Sequence, residues 1–338
     1  MKNRWKTGLL VLLAGIFLLL PAAGETVERS SVMEEVPGPG AEWNLDEKGF
    51  LVGENPETFW MLEDEEKGIW GYSDAHLSIR MKRYTDQVTK KMKRLYCVAE
   101  IYASEESPLY PILHPQVRDD PFPGCYKQVP EKWIGDYPFV LAISDDYYGH
   151  RYQSRKTKGS KWPVGIIIRN GEIFFDMPRD SNKKAEFPPL DTLAVYQDGS
   201  MKVRRSDELT AEEYLAEGAV NVFSFGPWLI RDGEVNTKGA VGDKAVYTTL
   251  RYSDARVVIG MVEPFHYILI VVGVPNEKKN IGAKGEWLIE KLQAYGCTEA
   301  INLDGGGTTC LAFNGKIILR GDSSKRPLSG MIAFGNLE

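Results

Sequence analysis

The chain has 338 residues, 43% hydrophobic, 11% aromatic and 26% charged, with a formal net charge of −6. So many apolar and aromatic side chains can bury a sizeable core, which excludes disorder over most of the length. The mildly acidic balance argues against general nucleic-acid binding, and a single apolar run of near-membrane length excludes a multi-span membrane protein.

The N-terminus reads as an export segment. Lys2, Arg4 and Lys6 precede an apolar run from Gly8 to Leu20, and Pro21-Ala22-Ala23-Gly24 supplies the small residues of a cleavage site. The run is short of the about 20 residues that a span needs, so residues 1–24 are read as a signal peptide, with an uncleaved anchor as the alternative. Either way the body is expected outside: secreted, or anchored to the outer face of the cytoplasmic membrane. Cys97, Cys125, Cys297 and Cys310 are an even number in such a chain. One or two disulfides or buried free thiols are both compatible with them. No CxxC occurs, and His76, His114, His150 and His266 lack ligand spacing.

Residues 25–67 carry few helix or strand signals and include Val36-Pro-Gly-Pro-Gly40, which reads as a flexible tether. From about 68 to 338 the expectation is a single compact α+β domain, mainly antiparallel β-sheet with a few helices. Asn170-Gly171, Asp198-Gly199, Asp232-Gly233 and Asn314-Gly315 each stand between β-rich stretches. Such pairs supply the positive φ angles of tight hairpin turns. Thr210-Ala-Glu-Glu213 is a capping box that opens a helix ending near Gly218. A second helix is predicted over 283–295, with Gly296 as its C-terminal cap. The segment 80–94 is basic, with Arg80, Lys82, Arg83, Lys90, Lys91, Lys93 and Arg94 against Asp86 alone. It reads as a solvated hairpin tip or a docking surface for an anionic polymer. The basic stretch from Arg151 to Lys161 reads as a solubilising loop or a collector of the same kind of polymer.

The sharpest chemical feature is Ile301-Asn-Leu-Asp-Gly-Gly-Gly-Thr-Thr309. A strand delivers Asp304 into Gly305, Gly306 and Gly307, whose use implies an unusual bend or a ligand close to the backbone. Backbone N–H groups and the hydroxyls of Thr308 and Thr309 suit phosphate or sugar oxygens. A nucleotide P-loop is disfavoured, because no Gly-Lys-Ser/Thr opens a helix here. Three more segments matter: Leu141 to Gly149 with Ser144, Asp145, Asp146 and Tyr147; Ser224 to Ile230 with Gly226; and Asp254 to Gly260 with Arg256 at a strand mouth. A guanidinium in such a place suits a phosphate.

In this order the segments resemble the phosphodiester glycosidase family. Its bacterial pattern has an Ala-Ile-Asn-Gly-Asp-Tyr-Tyr-Gly strand end, an Ile-Arg-Asn-Gly hairpin, Phe-Gly-Pro, Arg-x-x-Ile-Gly and Asn-Leu-Asp-Gly-Gly-Gly-Ser/Thr. Here these are residues 141–149, 168–171, 225–227, 256–260 and 302–308. The resemblance spans about residues 70–338. It implies hydrolysis of a sugar-1-phosphodiester bond in a cell-surface or extracellular glycan, with no nucleic-acid partner. It implies no obligatory cofactor, with a divalent ion left open. The membrane is expected to be reached only through residues 1–24, if they stay uncleaved.

The resemblance also assigns roles. Arg256 is expected at the phosphate with Arg326 as a second cation. Asp304 is expected to serve water or the anomeric cation, with Asp146 as its partner. Ser144, Asp145, Tyr147, Gly226, Asn302, Gly305, Gly306, Gly307, Thr308 and Thr309 are expected to line the substrate. The chain departs from the pattern at Ser144-Asp145, where relatives have Asn-Gly. It departs again at Gly273-Val-Pro275 for Asp-Gly-Arg, and at Gly330 for the acid of Val-Ser-Asp. These departures keep open a non-catalytic envelope module of the same fold that binds glycans or a protein. A metal-dependent phosphodiesterase lacks the clustered His and Asp ligands it needs.

Overall fold

Each glycine dipeptide closes a β-hairpin. A computed structural model describes residues 29–113, 128–146, 165–176, 190–237, 250–274, 279–322 and 326–337, except Glu54, Pro56 and Ser206. In it Asn170 and Gly171, Asp232 and Gly233, and Asn314 and Gly315 all take positive φ, between 44° and 78°. In the fourth turn only Gly199 does, at 75°, and the Gly199 N–H returns to the carbonyl of Tyr196 in a wider loop.

Among the described residues the strands form three antiparallel sheets. The largest begins with β1 (Trp60–Asp64), β2 (Ile69–Ser73), β3 (Ser78–Gln87) and β4 (Lys93–Tyr102). It continues through β15 (His266–Gly273), β14 (Arg256–Glu263), β16 (Glu299–Leu303), β12 (Trp228–Arg231) and β13 (Glu234–Val235). A second sheet has the order β10 (Met201–Arg205), β9 (Asp191–Tyr196), β11 (Ala219–Phe225), β7 (Ile167–Arg169), β8 (Glu172–Phe175). The third runs β18 (Lys316–Arg320), β17 (Cys310–Phe313), β6 (Phe139–Ser144), β19 (Gly330–Asn336), β5 (Tyr110–Leu113). The α+β, mainly antiparallel fold expected from the sequence is the fold observed.

Strand alternation decides the layers. Val257, Ile259, Ile301 and Leu303 face one way and meet Ile143, Leu193 and Phe223 of the two smaller sheets in the main core. The alternate residues Val258, Ile270 and Ala300 face the other way. They are covered by α4 (Gly285–Ala294), which buries Leu288, Ile289 and Leu292. Each such side chain contributes roughly 1.5–3 kcal/mol. The smaller sheets have their own covers. Trp133 of α2 (Pro130–Asp136) packs on the third sheet, and Ala211 and Tyr214 of α3 (Ala211–Ala216) pack on the second. The capping box at Thr210 is formed in full.

The segment expected as a flexible tether is different from about residue 30 on. Val32 of α1 (Val32–Glu35) and Val36 are buried in the core under the large sheet, and Trp60 already opens β1. The anchor is Glu100 on β4. One carboxylate oxygen accepts from Ser31 Oγ at 2.8 Å and from the Val32 and Met33 N–H groups at 2.7 and 3.0 Å. The other lies 3.0 Å from His266 Nε2. Burial pushes the Glu100 carboxyl up, but the His266, Met33 and Ser31 hydrogen bonds outweigh it and hold it below its ordinary value. Its stabilisation is therefore present above the unfolded pKa and lost as pH falls through the lower folded one. Glu100→Ala is expected to cost about 1.5–3 kcal/mol. Limited proteolysis should then cut near residues 29–45 in the variant before the wild type; an unchanged cleavage pattern would show that other contacts hold the segment.

Residues 1–24, Cys125, His114, His150 and the basic stretch 151–161 lie outside the described residues. Cys97, Cys297 and Cys310 are free and buried, and burial pushes each thiol up to about 12.

Candidate functional site

The three sheets meet at one end, where β6, β11 and β16 finish and β9 and β14 begin. Val257 pairs with Leu303 in the β14–β16 ladder, so one further step sets Arg256 across from Asp304. Backbone bonds carry the ladder past the strand ends. The Gly306 N–H donates to Ala255 O at 2.9 Å and the Asp304 N–H to Asp145 O at 3.1 Å. Ser144, fully buried, donates from Oγ to Asp304 O at 3.2 Å and accepts from the Cys310 N–H at 3.4 Å. It pegs the third sheet to the loop.

The glycines are there for space. A Cβ on Gly305 would stand 2.7 Å from Ala255 O. Gly306 has φ +61°, and its carbonyl lies where a Cβ on Gly321 would be. Residues Gly306–Thr308 form a 3-10 turn. Thr308, expected to face a ligand, spends its hydroxyl inside this turn by donating to Gly305 O at 2.6 Å. The N–H groups of Asp304, Gly306, Thr308, Thr309 and Cys310 are engaged. Those of Gly305 and Gly307 take no acceptor among the described residues. Asp304 through Gly307 are only half-buried.

Gly226 joins the second sheet to this end. Its N–H donates to Asn302 O at 3.1 Å, and Asn302 returns Nδ2 to Gly226 O at 2.9 Å. The Gly226-Pro227 peptide is cis, and Gly226 has φ +104°. Asn302 Oδ1 and Thr309 Oγ1 are buried polar atoms without a hydrogen-bond partner among the described residues. Such atoms cost about 1–3 kcal/mol each, so their retention asks for an explanation.

One residue here has no sequence signal. Asp191, at the start of β9, is 3% exposed and accepts the Trp228 N–H at 2.7 Å. A Cβ on Gly226 would stand 3.1 Å from it. Burial raises its carboxyl to about 6 against the Trp228 N–H and Arg205, with Glu208 and Asp207 adding to the rise.

Several expected site residues are used differently. Asp146 is not a free partner for Asp304. Its side chain is 0% exposed, with Oδ1 2.9 Å from Arg169 Nη2 and Oδ2 accepting the Ser224 N–H at 2.7 Å. Arg256 is 6% exposed and donates from Nε to Ala283 O at 3.3 Å and from Nη2 to Tyr252 O at 2.8 Å. It pins two loops, so it is no open clamp. Burial lowers its pKa, opposed by Asp254. Asp145 is 2% exposed and accepts from Ser329 Oγ at 3.4 Å. Its Oδ2 sits 2.4 Å from where a Cβ on Gly330 would be. The two departures at 145 and 330 are therefore one exchange in space: the acid comes from one strand and the glycine from the other. Gly273 has a similar constraint, since a Cβ there would stand 2.6 Å from Arg320 O. Arg326 is exposed. Tyr147 and Pro275 lie outside the described residues, among which no three His, Cys, Asp or Glu side chains gather as metal ligands.

The family model of phosphodiester glycosidase matches residues 137–335. The SPbeta prophage-derived uncharacterized protein YomE of Bacillus subtilis (strain 168) is 26% identical over 155 residues, 46% of this chain. The match spans only 22% of that curated relative's length. Among solved structures, the catalytic domain of zebrafish N-acetylglucosamine-1-phosphodiester alpha-N-acetylglucosaminidase, auto-inhibited by its pro-peptide, superimposes with a TM-score of 0.53. It is 17% identical, and the match covers 77% of this chain and 83% of that one. A hypothetical protein from Synechocystis is 14% identical, with 78% and 63% covered and a TM-score of 0.48.

Proposed function

The chain belongs to the phosphodiester glycosidase family, and on that premise we propose that it hydrolyses sugar-1-phosphodiester bonds in an exported or cell-surface glycan. The carrying observation is the half-buried Asp304 beside two glycine N–H groups without acceptors among the described residues, where three sheets converge. The Gly305 and Gly307 N–H groups receive a phosphate oxygen, and the buried Arg256 behind them adds positive potential without releasing its carbonyl partners. Asp304 serves the anomeric carbon, by orienting water or by stabilising the oxocarbenium-like centre. Asn302 Oδ1 and Thr309 Oγ1 find their missing partners in the sugar or in ordered water. The departing phosphate needs little acid assistance, so one half-buried carboxylate suffices. The N-terminal segment supports an extracellular setting.

A panel of sugar-1-phosphodiesters, with free reducing sugar measured, tests this. Asp304→Asn keeps the size of the side chain and removes its charge. Turnover is expected to fall about 100-fold or more with KM within a few fold and an unchanged circular dichroism spectrum. Wild-type turnover in that variant would return Asp304 to a purely structural role. A second reading, a glycan-binding module without turnover, draws on the engagement of Asp145 and Asp146 in the fold. Binding without hydrolysis across the panel is its signature.

A further inference from the structure

Five lysines at the site end of the large sheet meet no counter-charge among the described residues. Lys90, Lys91 and Lys93 stand exposed at the β3–β4 tip, and Lys279 and Lys284 stand exposed on the segment leading into α4. Among the described residues no carboxylate lies within 4.0 Å of any of them, whereas Lys82, Arg231, Lys316 and Arg320 elsewhere each meet one at 2.7–2.8 Å. The nearby acid Asp86 is held by the Tyr96 hydroxyl at 3.2 Å. In a chain of net charge −6, such a concentration of unpaired cations makes a local positive field.

Packed aromatic rings lie beneath the cluster. Arg94 lies 4.4 Å over the Trp287 ring, whose edge meets Tyr96 at 4.9 Å, and Tyr96 stacks on Tyr84 at 5.1 Å. It is also wired to the catalytic end. The Lys93 N–H donates to Lys279 O, and Arg94 Nε donates to Gly282 O. Ala283 and Asp254 exchange backbone bonds, and the Gly306 N–H donates to Ala255 O. Lateral separation from β4 to β16 is three strand spacings, about 14 Å. Tyr252, whose carbonyl accepts from Arg256, is 66% exposed and offers an aromatic side chain that a sugar can lie against.

We propose that this surface docks a polyanionic, phosphate-linked glycan and lays one of its linkages across the Asp304 loop. The choice of occupant rests on the function proposed above and on charge complementarity: phosphates repeat along such a polymer, and cations repeat along the track. The full-length protein carrying Lys90→Glu, Lys91→Glu and Lys93→Glu tests it. Fluorescence anisotropy would follow a labelled phosphate-linked glycan, a neutral glycan of the same sugars, and single-stranded DNA, at about 25 and 300 mM salt. The phosphate-linked glycan is expected to bind the variant at least about 10-fold more weakly at low salt, with a smaller loss at high salt because exposed charges are screened. Neutral glycan binding and turnover of a monomeric sugar-1-phosphodiester should not change. Lys279→Glu with Lys284→Glu, from the other segment, should act in the same direction and stands in should the first variant fail to fold. Unchanged polymer binding, an equal loss for the neutral glycan, or DNA bound as tightly as the glycan overturns the proposal. Failure of the monomer assay in the wild type would instead count against the hydrolytic reading, leaving the binding arms to decide this one.

Discussion

Asp146→Ala should be the most destabilising single substitution at the site end, at about 3–5 kcal/mol. The carboxylate and the Arg169 guanidinium are 2.9 Å apart with both side chains 0% exposed. Arg169 also donates to the Ile168 and Val222 carbonyl oxygens and lies 4.0 Å over the Phe223 ring, so it cannot swing out to water. Removing Asp146 leaves a buried cation without its carboxylate and frees the Ser224 N–H, which ties the second sheet to the third. Pairing Asp146→Leu with Arg169→Met should recover most of the loss, because two apolar side chains carry no desolvation penalty. Urea midpoints at constant m-value measure both effects. Activity that disappears in Asp146→Ala while the midpoint stays at the wild-type value would restore Asp146 to the chemistry. Asp304→Asn, half-buried and outside this pair, should leave the midpoint nearly unmoved.

The contrast between these two acids shows what the sequence exposes. Asp304 is legible because its neighbours announce it: an apolar strand, then three glycines, the first of them required by the crowding from Ala255 O. The hairpin turns and the α3 capping box are legible for the same reason, since each signal and its effect lie within four residues. Asp146 looks as available as Asp304, yet its fate is set by an arginine 23 positions away in another sheet. Docking of Val32 and Val36 depends on Glu100, 68 positions on from Val32, and the segment itself shows no period. The α2 helix is only seven residues long, with Pro130 at its first turn as the one cue. Thr308 was legible as a hydroxyl in a glycine loop, and only the turn geometry shows the hydroxyl already spent. The exchange between Asp145 and Gly330 is two departures in sequence and one in space.

Asp191 is the residue with most to reveal through pH. Its strand, Asp191–Tyr196, is buried throughout, so the acid sits in a run that reads as core. In the fold its carboxyl is raised to about 6, chiefly by burial. A raised folded value means that folding favours the protonated form. The stabilisation is complete below the unfolded value, near pH 4, and is lost as pH rises through about 6. Above that pH the buried anion costs on the order of 3 kcal/mol relative to the protonated state. Asp191→Asn keeps an oxygen for the Trp228 N–H and has no charge to bury. Its stability should therefore match the wild type near pH 4 and exceed it by on the order of 2–3 kcal/mol near pH 8. Arg205, Asp207 and Glu208, the charged neighbours that tune Asp191, are unchanged in the variant, so subtracting the two pH–stability curves isolates this one group. A difference curve flat from pH 4 to 8 would mean that the carboxyl titrates near its ordinary value and that water reaches it. A difference that grows between about pH 4 and 6 and levels off above would mean that the chain keeps a costly acid beside Gly226, whose carbonyl holds Asn302, and that this end of the sheets is tuned for something other than stability.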